Sequence, residues 1–69
     1  MPYYNRNYNT DCTTFSEVFG NLTIAKHNCE NFKNCTMVLE LGCNGTAFQM
    51  CTGEQKESKD GSCTWRSNS

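Results

Sequence analysis

The sequence predicts a small, mostly β domain held together by three disulfide bonds. The chain has 69 residues, of which only 36% are hydrophobic. Ordering so short a chain costs on the order of 100 kcal/mol at roughly 1.5 kcal/mol per residue, which the apolar side chains cannot offset by burial alone. Six cysteines supply the missing stabilisation. An alternating stretch around an Asn-Gly pair adds the signal of a β-hairpin.

The cysteine spacing favours disulfide bonds over a metal site. Structural zinc sites usually bring their ligands in close Cys-x-x-Cys pairs. This chain has no such pair, and its only histidine, His27, stands beside no cysteine. We therefore expect no metal and no cofactor, and we expect all six cysteines to be bridged: Cys12, Cys29, Cys35, Cys43, Cys51 and Cys63.

Disulfide bonds place the protein in an oxidising setting, so we predict a secreted, extracellular protein. Three Asn-x-Ser/Thr glycosylation sequons agree with this, at Asn21, Asn34 and Asn44. No apolar run in the sequence shown is long enough for a transmembrane span or a signal peptide.

Charge and motif content exclude several classes of function. The formal net charge is −1 and there is no basic block, so nucleic acid and anionic membranes are poor partners. Ser, Asp and the single His stand at no spacing typical of a nucleophile, an acid–base pair or a phosphate loop. We therefore expect a monomeric binding protein rather than an enzyme.

Two terminal tails flank the predicted domain. Residues 1–11 contain Tyr3, Tyr4 and Tyr8 and read as a flexible tail, or as an aromatic arm that orders on a partner. The single domain spans residues 12–66, and residues 67–69 form a second tail.

Within the domain, apolar residues around Gly20 predict a turn between two short extended pieces, the second at residues 22–25. Residues 52–62 lack aromatic and aliphatic side chains, which predicts a solvated loop.

The hairpin is predicted at residues 36–51. Asn44-Gly45 is a favoured two-residue turn, because a type I′ turn needs positive φ at both positions. With Cys43 opposite Thr46, Leu39 faces Met50 and Glu40 faces Gln49. Side-chain alternation then divides the hairpin into an apolar and a mostly polar face. The apolar face holds Met37, Leu39, Leu41, Phe48 and Met50, and the polar face holds Glu40, Gln49 and Cys51.

This register limits the disulfide pairing. Cys35 and Cys43 are too far apart along one strand, and Cys51 points away from both. Each of these three cysteines must then bond one of the other three, which reduces fifteen connectivities to six. The six alternatives stay open at this point.

Several stretches resemble peritrophin-A-type chitin-binding modules. The segment Cys29-Glu30-Asn31-Phe32-Lys33-Asn34-Cys35 is similar to the second and third cysteines of that family, which flank an aromatic residue. Residues 20–28 look like the stretch that precedes them. Cys51, an eleven-residue loop and Cys63-Thr64-Trp65 look like the later part of the module. The likeness covers residues 12–65, but the family's sixth cysteine is absent and Cys43 is extra.

The resemblance implies a pairing and a ligand. If Cys43 replaces the missing cysteine, the favoured bridges are 12–35, 29–43 and 51–63. The implied ligand is a chitin-like glycan, whose sugar faces stack on aromatic rings and whose hydroxyl groups bond to amides. The residues that would carry this recognition are Trp65 and Phe48 as platforms, with Asn44 and Gln49 as hydrogen-bonding partners.

A second hypothesis is a secreted blocker of a host protein, of the kind found in parasite saliva and venoms. Small disulfide scaffolds suit this task because rigid loops lose little entropy on docking. A protease, a complement component or a chemokine would be the target. The contact surfaces would be the 54–62 loop, the Asn44-Gly45 tip or the tyrosine-rich tail, since tyrosine is favoured at hot spots. A third option is a coat or surface protein without a discrete ligand.

Overall fold

The computed structural model describes residues 4–67. Their strands form one antiparallel sheet of five strands, in the order β1-β5-β3-β4-β2. The prediction of a small, mostly β, disulfide-rich fold is confirmed. The elements are β1 (Tyr4–Tyr8), β2 (Thr10–Thr14), α1 (Leu22–Glu30), β3 (Met37–Glu40), a 3₁₀ turn (Leu41–Cys43), β4 (Phe48–Glu57) and β5 (Cys63–Ser67).

The N-terminal segment forms strands. Tyr4–Tyr8 pairs along its whole length with β5, so the predicted flexible tail is wrong for these residues, while residues 1–3 lie outside the described part. Asn9 alone, with φ 56°, separates β1 from β2, although the two strands lie at opposite edges of the sheet. The sheet must therefore curl until its edges meet at this end. Thr10 marks the junction, because its N–H donates to the Ser62 carbonyl at 3.0 Å and its hydroxyl lies 2.8 Å from that of Thr64.

A helix replaces the extended piece predicted at residues 22–25. The Oδ1 atom of Asn21 accepts hydrogen bonds from the backbone N–H groups of Thr23 (2.8 Å) and Ile24 (3.4 Å), which caps α1. Ala25 and Cys29 are buried against the sheet. Because only these two helical residues are fully buried, the helical period in the sequence is weak, and that is why the prediction failed.

The predicted hairpin forms, but its register differs by one residue. Val38 pairs with Met50 and Glu40 pairs with Phe48. A shift of one residue reverses the side-chain alternation, so Phe48 and Met50 share a face with Val38 and Glu40 instead of with Met37 and Leu39. The predicted division into one apolar and one polar face is therefore wrong.

The turn explains the shift. Instead of a two-residue Asn-Gly loop, residues 41–47 connect the strands through a 3₁₀ turn. Gly42, Cys43 and Gly45 have φ values of 67°, 54° and 76°, and glycine reaches this left-handed region without steric cost. The Leu41 N–H donates to the Ala47 carbonyl at 2.9 Å, so the bonded residues enclose five residues instead of the two of a tight hairpin.

Both faces of the central strand β3 are buried, which leaves no polar face there. The face that α1 covers carries Ala25, Cys29, Val38, Phe48 and Met50, with Phe19, Leu22, Cys35 and Trp65 at its margin. The other face carries Cys12, Met37, Leu39 and Cys51, with Leu41 against them.

The disulfide bonds are Cys12–Cys51, Cys29–Cys35 and Cys43–Cys63. The favoured set 12–35, 29–43 and 51–63 is wrong in all its pairs. The observed set is nevertheless one of the six that the hairpin argument allowed. Cys29 closes onto Cys35 because α1 ends at Glu30 and the chain turns back immediately into β3.

The predicted 52–62 loop is shorter than expected. Residues 52–57 continue β4 and pair with β2, and the remaining residues turn around Asp60. The Asp60 carboxylate accepts hydrogen bonds from the hydroxyl groups of Ser58 (2.6 Å) and Ser62 (2.8 Å). These bonds lower the pKa of Asp60, since they favour its charged form.

Candidate functional site

A cleft of about 500 Å³ opens where the start of α1, the 41–47 connection and the β1–β5 edge of the sheet meet. Its position follows from the fold, because α1 packs on β3 and β4 and leaves the β5 side of the same face uncovered. The cleft is lined by Arg6, Gly20, Asn21, Leu22, Glu40, Cys43, Asn44, Gly45, Phe48 and Trp65.

The sheet register brings the polar groups of the cleft together. Trp65 pairs with Arg6 on one side and with Val38 on the other, so the three side chains form one row across the sheet. Glu40 lies two residues after Val38 and therefore points to the same face. An arginine, a tryptophan and a carboxylate from three adjacent strands thus share one surface.

Glu40 is the fixed centre of this group. The residue is only 1% exposed. Its Oε2 accepts a hydrogen bond from Arg6 Nη2 at 2.8 Å, and its Oε1 accepts one from Trp65 Nε1 at 2.8 Å. A buried carboxylate is stable only when it is paired and hydrogen-bonded, and here both oxygens have a donor. Glu40 therefore holds the guanidinium and the indole in defined positions.

Arg6 links the carboxylate to the 41–47 connection and to an aromatic ring. Its Nη2 also lies 3.1 Å from the Cys43 carbonyl oxygen, which it donates to. Its guanidinium carbon stands 5.2 Å from the centroid of the Tyr8 ring and 5.6 Å from that of Trp65, within cation–π range. The Nε atom of Arg6 is buried without a hydrogen-bond partner in the described structure.

A second cation stands over the same indole. Lys26 Nζ lies 5.2 Å from the ring centroid of Trp65 and 5.2 Å from that of Tyr4. Burial raises the pKa of the Tyr4 phenol, and the nearby Glu30 carboxylate raises it further. Two cations and three aromatic rings therefore form one mixed cluster at the β1–β5 edge.

The structure brings three of the four predicted ligand-binding residues to the cleft. Trp65 is half-buried, and Asn44 is exposed. Phe48 is 3% exposed, so its ring belongs to the wall of the cleft and offers no open platform. Gln49 lies on the opposite face of β4, where its Nε2 donates to the Ser16 carbonyl at 2.9 Å.

Sequence reasoning missed Arg6, Lys26 and Glu40. A signal for Arg6 exists in hindsight, since Tyr4, Arg6 and Tyr8 alternate as residues on one face of a strand would. The segment has no aliphatic residue, which hid this pattern. The Arg6–Glu40 pair joins positions 34 residues apart, and no local pattern reports such a contact.

Two of the three sequon asparagines line the cleft. Asn21 caps α1 on one side of the cleft, and Asn44 belongs to the 41–47 connection on the other side. The Oδ1 atom of Asn44 accepts hydrogen bonds from the Thr46 hydroxyl (2.7 Å) and the Thr46 N–H (3.2 Å), which orders the amide. Asn34 is exposed elsewhere.

A separate apolar pair lies outside the cleft. The rings of Phe15 and Phe32 meet edge to face with centroids 6.3 Å apart, and the two residues are 43% and 51% exposed. Such exposed aromatic pairs are a surface that another molecule can cover.

Within residues 4–67, no three His, Cys, Asp or Glu side chains come together as metal ligands would. In the same range, no helix has both the length and the apolar content needed to cross a bilayer.

Comparison of the chain with protein-family models finds no match. Searches of curated proteins and of solved structures find no significant match either. The resemblance to peritrophin-A modules accordingly stays a prediction, and the functional argument depends on the geometry of the cleft.

Proposed function

We propose that this chain is an extracellular, non-enzymatic glycan-binding protein whose binding site is the Trp65 cleft, with a chitin-type N-acetylglucosamine oligomer as its ligand. One observation carries the proposal: a half-buried indole, held by the buried Glu40, lines a cleft beside the exposed amides of Asn21 and Asn44. The disulfide bonds support an extracellular setting.

The chemistry of the cleft suits a sugar. A pyranose ring presents C–H groups on its faces and hydroxyl groups around its edge, so it needs an aromatic wall and nearby amides. Trp65 and the wall residue Phe48 provide apolar surface. The two asparagines provide Nδ2 donors, since their Oδ1 atoms already accept hydrogen bonds within the chain. The volume of about 500 Å³ lies in the range of roughly 300–1,000 Å³ typical of small-ligand sites.

The hydrogen bond from Trp65 to Glu40 also favours affinity. A ring that is already held in place loses little conformational entropy when a ligand stacks on it. The hydrogen bonds of Glu40 to Arg6 and Trp65 also support a non-enzymatic role, because they engage both carboxylate oxygens and leave neither open to a reacting group. His27 is exposed on α1 and does not line the cleft.

The blocker hypothesis has one observation in its favour. Tyr8 is 66% exposed and lies beside the Arg6 guanidinium, and tyrosine and arginine are enriched at the hot spots of protein interfaces. A host-protein partner would contact this tyrosine, which does not line the cleft. Tyr8→Ala should then abolish capture of a plasma or serum protein while leaving glycan binding intact.

The test of the glycan proposal uses the oxidised, unglycosylated chain on chitin beads, together with a fluorescence titration with a soluble N-acetylglucosamine oligomer. Trp65 is the only tryptophan, so its emission reports on the cleft directly. We expect retention on the beads and a saturating change in emission. Asn44→Ala should weaken binding about three- to tenfold, the equivalent of one lost hydrogen bond.

Asn34→Ala is the matched control, because it removes an exposed sequon asparagine that does not line the cleft. Its affinity should equal that of the unmodified chain. Absence of both retention and an emission change would overturn the glycan proposal. Capture of a plasma protein that depends on Tyr8 would then favour the blocker.

A further inference from the structure

We propose that a carboxylate subsite at Lys26 adjoins the cleft, so that the preferred ligand is a glycan in which N-acetylglucosamine alternates with a uronic acid. This inference rests on the proposed function, because it names the sugar class that the same cleft selects. It is carried by an ammonium group that stands over the Trp65 ring without a carboxylate partner.

The two cations beside Trp65 differ in their charge balance. Arg6 is neutralised by Glu40 through the one ion pair found within residues 4–67. Lys26 makes no ion pair and no hydrogen bond in that range. Its Nζ lies 5.2 Å from the ring centroid of Trp65 and 5.2 Å from that of Tyr4. The group of Arg6, Glu40 and Lys26 therefore keeps one uncompensated positive charge.

Glu30 forms no ion pair with this ammonium group. It stands four residues after Lys26 on α1, a spacing at which a lysine and a glutamate can pair. No ion pair within 4 Å forms between them in the described structure. The three donors of the ammonium are thus open to a ligand.

Lys26 does not itself line the cleft, but two residues beside it do. Leu22, one helical turn earlier on the same side of α1, lines the cleft, and so does Trp65 beneath the ammonium. A sugar held against Trp65 between Asn21 and Asn44 therefore has Lys26 at its margin. A carboxylate on that sugar or on its neighbour would gain a charge-assisted hydrogen bond.

The overall charge indicates what kind of acidic glycan fits. The chain has a net charge of −1, so there is no extended positive field to attract a densely sulfated polymer. A single uncompensated cation suits carboxylates that recur once in every second sugar. In such a glycan, the aromatic wall and the amides of the cleft bind the N-acetylglucosamine unit, and Lys26 binds the carboxylate of the neighbouring sugar.

The experiment compares two oligomers of equal length by Trp65 fluorescence at low salt. One is the N-acetylglucosamine oligomer, and the other alternates N-acetylglucosamine with glucuronate. We expect the acidic oligomer to bind about two- to fivefold more tightly, as one solvent-accessible ion pair allows, and the difference to shrink in high salt. Lys26→Gln should abolish the preference, and Lys26→Arg should keep it.

Lys33→Gln is the control, because it makes the same charge change beyond the end of α1 that is remote from the cleft. It should keep the preference. Equal affinity of the unmodified chain for both oligomers overturns the subsite but leaves the proposed function standing. A preference that survives Lys26→Gln also overturns the assignment. Binding of neither oligomer overturns the proposed function and the subsite together.

Discussion

At the scale of single residues, Glu40 decides how the cleft is arranged. A carboxylate that is almost fully buried would be costly alone, but its hydrogen bonds to Arg6 and Trp65 satisfy both oxygens. The same contacts attach β1 and β5 to the end of β3. One side chain therefore serves stability and also orients the ring that we propose as the sugar platform.

We expect Glu40→Leu to lower the free energy of unfolding by about 2–3 kcal/mol, because it removes the carboxylate that neutralises Arg6 and leaves the indole N–H without an acceptor. The loss stays below the value for a fully buried pair, since the Arg6 side chain is 31% exposed and can be hydrated. Glu40→Gln keeps one acceptor oxygen and should cost about 1 kcal/mol. Urea unfolding with intact disulfides, followed by Trp65 fluorescence, measures both.

Glu54→Gln is the control for these variants, because Glu54 is exposed on β4 and makes no side-chain hydrogen bond in the described structure. Its unfolding free energy should stay within about 0.5 kcal/mol of that of the unmodified chain. If Glu40→Leu were as stable as this control, Glu40 could not be the anchor of the cleft.

At the scale of elements, α1 depends on its cap. A helix of nine residues is too short to be stable in water by itself, so the Asn21 cap and the packing of Ala25 and Cys29 must hold it. We expect Asn21→Ala to cost about 1 kcal/mol of stability. Asn21→Asp should cost little, because its carboxylate also accepts from the first turn and interacts favourably with the helix dipole.

Urea unfolding of the unglycosylated chain compares the two Asn21 variants. Asn34→Ala, at an exposed asparagine outside the helix, is the matched control. Equal losses for Asn21→Ala and Asn34→Ala would show that α1 is held by packing alone.

The elements also show how far the sequence could predict the fold. The β3–β4 hairpin was predictable because two stretches of β-forming residues flank a segment that contains Asn44-Gly45. Its register was not, because Cys43 adopts a positive φ next to Gly42 and widens the turn. The local signal for β1 was weak, because its residues are held by strand pairing and cation–π contacts rather than by aliphatic burial.

The candidate site was predictable to a similar degree. Trp65 and Asn44 were chosen for their chemistry, and both line the cleft. Gln49 was also chosen for its amide, but it follows Phe48 directly in β4 and therefore points to the opposite face, where it donates to the Ser16 carbonyl. Arg6 and Lys26 contact Trp65 only in the folded sheet and helix, so no local pattern predicts these two contacts.

At the scale of the whole molecule, the three disulfide bonds close loops of very different length. Cys29–Cys35 closes a local turn after α1, with a sequence separation of 6. Cys43–Cys63 ties the 41–47 connection to β5 across a separation of 20, beside the cleft. Cys12–Cys51 joins β2 to β4 across a separation of 39, inside the buried face that α1 does not cover. The bridges thus differ in how much chain each one restrains.

We expect the cost of removing each bridge to rise with the loop that it closes. Loop-closure entropy gives about 2 kcal/mol for Cys29–Cys35, about 3 kcal/mol for Cys43–Cys63 and about 4 kcal/mol for Cys12–Cys51. Paired Cys→Ala variants, unfolded in urea without reductant, measure these costs. The Cys29/Cys35 variant should stay folded at 37 °C, whereas the Cys12/Cys51 variant should lose most of its structure, because a small domain has few other sources of stability. Equal losses of stability for the three variants, or a greater loss for Cys29/Cys35, would contradict this order. A greater loss for Cys29/Cys35 would mean that the stability of the fold depends more on α1 than on the curled sheet.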